Sequence, residues 1–82
     1  MSVLDDSEME SDDIYLSAFF LLSGCVLVRK RRSGPTKIYF VFSNPAGSIK
    51  ELRQAFFSGK AIVKAHDYSQ KIIAMKELLH DG

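Results

Sequence analysis

Four consecutive bases, Arg29-Lys30-Arg31-Arg32, close an apolar run and are followed at once by Ser33-Gly34-Pro35 and by Thr36-Lys37-Ile38-Tyr39-Phe40-Val41-Phe42. No other stretch restricts the fold as tightly. Cys25-Val26-Leu27-Val28 is short and β-branched, and 36–42 is rich in β-branched and aromatic residues, so each reads as a strand. Two strands joined by so tight a turn run antiparallel. With Ser33-Gly34-Pro35 as a three-residue loop, Arg32 faces Thr36, Arg31 faces Lys37, Arg29 faces Tyr39 and Val28 faces Phe40. Side-chain alternation then gives a core face of Val26, Val28, Ile38, Phe40 and Phe42, with Lys30 at its rim. The other face holds Leu27, Arg29, Arg31, Lys37, Tyr39 and Val41. A loop longer or shorter by one residue would mix the two faces.

The flanking segments read as helices. Asp12 or Asp13 can cap a helix through Ile14-Tyr15-Leu16-Ser17-Ala18-Phe19-Phe20-Leu21-Leu22, which is apolar nearly all round and so predicts burial, and Gly24 can close it. After Asn44-Pro45-Ala46-Gly47, Ser48 can cap a second helix with Ile49, Leu52 and Phe56 on one stripe and Gly59 at its end. Lys60-Ala61-Ile62-Val63-Lys64 is assigned to a short third strand. Asp67 with Gln70 resembles a capping box, and Tyr68, Ile72, Met75 and Leu79 space an amphipathic last helix. Residues 12–82 are thus expected to form a single α+β domain: helix, antiparallel β-hairpin, helix, short third strand, helix, with the helices packed on one face of a small antiparallel sheet. Residues 1–11 read as a disordered acidic tail.

Charge is unevenly spread along the 82 residues. The formal total of +1 hides six carboxylates in residues 1–13 (Asp5, Asp6, Glu8, Glu10, Asp12 and Asp13), against a body of +7. Like charges crowded on paired strands cost stability until something anionic compensates them. Nucleic acid supplies such charge, with Arg29, Lys30, Arg31, Arg32 and Lys37 on phosphates and Tyr39 stacking a base. No RNA-recognition signature accompanies these residues. The acidic head offers another source, as an electrostatic lid folded back over the hairpin. Leu27, Tyr39 and Val41 offer an alternative use of the outer sheet face, as a protein–protein or homodimer surface.

Other chemistries find little purchase. Cys25 is the single cysteine, which excludes an internal disulfide and fits a reducing compartment and a buried small hydrophobe. His66 and His80 have no metal-ligand spacing, so no metal and no cofactor are expected. His66-Asp67 is the only acid–histidine neighbour pair, Ser33-Gly34-Pro35 and Ser58-Gly59-Lys60 lack a phosphate-loop pattern, and the chain reads as not an enzyme. Ile14 to Val28 spans fifteen residues flanked by acid and then base, as a membrane anchor would, but about 20 apolar residues are needed to cross a bilayer. No membrane role is assigned.

Ile14-Tyr15-Leu16-Ser17-Ala18-Phe19-Phe20-Leu21-Leu22 with Gly24, Ile38 to Phe42, Phe56-Phe57-Ser58-Gly59-Lys60-Ala61-Ile62-Val63, Tyr68 and Ile72 to Leu79 together resemble a small domain-of-unknown-function family of bacterial and phage genomes. The resemblance spans about residues 13–80. It implies a cytoplasmic bacterial or phage protein and carries no known activity. The expected function is a small non-catalytic binding module that contacts nucleic acid through the basic hairpin, the alternative being protein–protein interaction or a homodimeric subunit.

Overall fold

The computed structural model describes residues 8–44 and 47–80. It has the α+β architecture implied by the sequence, in the order β1 (Glu8–Ser11), α1 (Ile14–Leu22), β2 (Val26–Ser33), β3 (Lys37–Ser43), α2 (Ile49–Ser58) and α3 (Ala65–His80). The strands form one antiparallel sheet in the order β1-β3-β2.

Local chemistry sets the helix ends. Asp13 caps α1, its carboxylate accepting from the amides of Tyr15 at 2.8 Å and Leu16 at 3.3 Å. The Ser48 hydroxyl caps α2 through the Glu51 amide at 3.3 Å. Gly59 closes α2 at φ +78°, a left-handed conformation that costs a Cβ-bearing residue about 1 kcal/mol or more. Asp67 is not a cap: α3 begins two residues earlier, at Ala65, and the Tyr68 amide donates to the Lys64 carbonyl at 2.9 Å.

The core lies between the helices and one sheet face. Phe20, Phe40, Phe42, Ile49 and Met75 are buried, with the Phe20 and Phe42 rings 5.4 Å apart and those of Phe19 and Phe56 5.5 Å apart. Tyr68 ties α3 to the start of α1, its hydroxyl donating to the Tyr15 carbonyl at 2.9 Å.

Three further expectations need correction. The acidic tail does not extend to residue 11, because Glu8–Ser11 is an edge strand in register with β3, Met9 opposite Phe42 and Ser11 opposite Phe40. Met9 packs on the core, and the Ser11 hydroxyl joins a buried network, accepting from Ser17 Oγ at 3.1 Å and donating to the Asp13 carbonyl at 3.0 Å. These contacts tie the strand to α1. The tail assignment for 1–7 lies outside the described residues.

Residues 60–64 are not a strand. The Lys60 and Ala61 amides donate to the Ala55 carbonyl at 3.0 and 3.2 Å, which completes the end of α2, and β3 already has a neighbour on each side. Ile62 is left 95% exposed.

The hairpin register differs as well. Its loop is Gly34-Pro35-Thr36, with Ser33 opposite Lys37, Arg31 opposite Tyr39 and Lys30 opposite Phe40. A β-bulge between Leu27 and Arg29 then inserts one residue and reverses the alternation below it. Leu27 consequently turns onto the core, and Val26 and Val28, expected inside, stand exposed.

Candidate interaction surfaces

The outer sheet face is where the sequence gathers its bases, and the register shows what they meet there. Glu8 and Glu10 of β1 lie across from Ser43 and Val41, so both carboxylates emerge on the face that carries Arg29 and Arg31. Arg31 forms a two-pronged pair with Glu10 at 2.5 and 3.1 Å. Arg29 reaches Glu8 at 3.5 Å, and Lys37 reaches Asp12 at 2.8 Å. The Arg31 guanidinium also lies 4.6 Å from the Tyr39 ring centroid, and the Lys37 ammonium 5.9 Å. Val41, in the middle of this face, is 0% exposed, flanked in register by Glu10 and Arg29. The apolar patch expected from Leu27, Tyr39 and Val41 is therefore not presented: Leu27 faces inward and Val41 is covered.

The six expected contact residues thus divide. Arg29, Arg31 and Lys37 hold carboxylates of this chain. Tyr39 is half-buried under cations. Lys30 is exposed, and its ammonium donates to the Leu78 carbonyl near the end of α3 at 3.0 Å. Arg32 stands opposite Ile38, exposed. The partners Glu8, Glu10 and Asp12 escape a reading by composition, but they recur every second residue, the period that puts side chains on one face of a strand.

These pairs make stability depend on pH. The Arg31 hydrogen bond holds the Glu10 carboxyl below its ordinary value, and the Lys37 hydrogen bond does the same for Asp12. A carboxyl with a lower pKa in the fold than in the unfolded chain stabilises fully above the unfolded value and loses that contribution as pH falls through the folded one. Thermal midpoints followed by circular dichroism are expected to hold from pH 7 to about 5 and to fall below about 4.5, and the fall is expected to be shallower in Glu10→Gln/Asp12→Asn. Equal slopes in the two proteins would show that the pairs contribute nothing.

A second surface lies beside β1. An open groove of about 750 Å³ runs between this strand and α2, lined by Met9, Glu10, Lys50, Arg53, Gln54, Phe57 and Ser58. Phe57 is 58% exposed, with the Arg53 guanidinium 4.8 Å from its ring centroid. Neither Lys50 nor Arg53 has a carboxylate partner among the described residues. Beside this groove the outer edge of β1 has no strand partner among the described residues, since the sheet order puts β3 on its other side.

Elsewhere the chemistry is quiet. Cys25 is buried, which pushes its thiol up and away from the reactive thiolate. Among the described residues no group of histidine, cysteine and carboxylates converges as metal ligands would, and no helix is long and apolar enough to cross a membrane. Comparison with protein-family models, curated proteins and solved structures finds no match to this chain.

Proposed function

We propose that this chain is a small non-catalytic protein-interaction module of the cytoplasm, whose partners dock along the edge of the sheet rather than on its basic face. One contrast carries the reading. The hairpin cations Arg29, Arg31 and Lys37 already hold carboxylates, whereas Lys50, Arg53 and the exposed Phe57 line an open groove. An exposed aromatic beside an arginine is the composition that recurs at the energetic centres of protein interfaces. The non-catalytic part of the reading rests on the sequence, in which His66-Asp67 is the only acid–histidine neighbour pair and no phosphate-loop pattern occurs. Nucleic acid at the hairpin would have to exchange three internal carboxylates for phosphates.

Site-specific photo-crosslinking in cells tests the choice of partner class. A photoreactive phenylalanine analogue at position 57, in the full chain, is expected to give protease-sensitive, nuclease-resistant adducts, and the same analogue at exposed Lys71 on α3 none. Nuclease-sensitive adducts from position 39, with none from position 57, would overturn the proposal in favour of nucleic acid.

A further inference from the structure

We infer that the groove between β1 and α2 takes an extended, acidic polypeptide segment, added as a fourth strand on the outer edge of β1. This rests on the protein-interaction reading and names the ligand's chemistry. Three observations converge on it.

The first is the edge. A terminal strand of a sheet leaves alternate amides and carbonyls on its outer side, and an extended chain satisfies them. Nucleic acid has no matching alternation of donors and acceptors, which is why a polypeptide is the occupant.

The second is the wall. α2 runs beside β1, so a segment on that edge lies against Lys50, Arg53 and Phe57, with Met9 on the strand side. Alternate side chains of an added strand would point toward the two cations and away from them.

The third is the sign of the charge. Glu10 borders the groove, but its carboxylate is held by both prongs of Arg31 on the outer face. The cations of α2 are thus the charge left to a ligand. With Glu10 paired across the sheet, Lys50 and Arg53 are the charged groups of the groove lining that have no carboxylate partner among the described residues.

The test uses the full chain and four labelled peptides of about eight residues: one alternating valine with glutamate, the same with glutamine, the same with lysine, and the glutamate version with prolines that block main-chain pairing. At about 50 mM salt the glutamate peptide is expected to bind about tenfold more tightly than the glutamine one by anisotropy, and the proline version to lose binding. Amide NMR shifts are expected in β1 and α2. Lys50→Glu/Arg53→Glu changes two exposed residues and is expected to reverse the order, favouring the lysine peptide. Equal binding of glutamate and glutamine peptides at the groove would overturn the acidic ligand while leaving the protein-interaction reading standing. Shifts confined to β2, or concentration-dependent self-association centred on β1 and α2, would overturn this occupant. No binding by any peptide, together with no adduct at position 57, would remove both proposals.

Discussion

Phe42→Ala is expected to bring the protein to the edge of unfolding at room temperature. Phe42 is 0% exposed, sits on the central strand, packs its ring at a tilt against Phe20 and has Met9 and Leu27 as its two cross-strand neighbours. Truncating a buried phenylalanine costs about 3–5 kcal/mol through lost transfer energy and the cavity left behind. A domain of this length has a total of roughly 4–12 kcal/mol to lose. Val28→Ala supplies the contrast. The bulge turns that side chain outward, so its replacement should stay within about 0.5 kcal/mol of wild type. Urea titration followed by circular dichroism separates the two variants. Comparable losses would mean that the bulge is absent and that Val28 packs in the core.

The second large effect concerns the covered face. Glu8→Gln/Glu10→Gln/Asp12→Asn removes the three carboxylates that hold Arg29, Arg31 and Lys37 and leaves the strand able to pair. Three cations are released toward solvent, with Tyr39 between them. The variant is expected to bind labelled single-stranded DNA at low salt at least about tenfold more tightly than wild type. Its log–log salt slope should be near −2, as about three phosphate contacts on a single strand require. Wild type should show little binding near physiological salt. If wild type binds as tightly as the variant with as steep a slope, the internal pairs do not compete, and nucleic acid replaces protein as the favoured partner. If neither binds, the hairpin is not a phosphate-binding surface.

Much of the fold is legible because its determinants are local. Asp13 and Ser48 announce caps, Gly59 announces an end, and Ile38 to Phe42 can hardly be anything but a strand. What escapes is decided at a distance. Glu8–Ser11 carries the composition of a solvated tail, and partners more than twenty residues away, the β3 backbone and the bases of β2, make it a strand, with a single apolar residue, Met9, facing the core. The bulge at Val28 has no local signature either. Val26, Leu27 and Val28 are interchangeable by propensity, and the choice of which faces inward belongs to the partner strand. The groove residues Lys50, Arg53 and Phe57 look like the outer side of an amphipathic helix. They line a groove only because β1 lies beside them, and β1 itself is not foreseeable from composition.

The order of the sheet has a bearing on how the molecule assembles. β2 and β3 are neighbours in sequence and can close on each other as soon as both exist, but the partners of β1 in β3 lie roughly thirty residues further along the chain. Loop-closure entropy therefore favours zipping the basic ribbon first and laying the acidic strand down afterwards. Until that last step Arg29 and Arg31 lack the carboxylates of Glu8 and Glu10 that pair with them in the complete sheet.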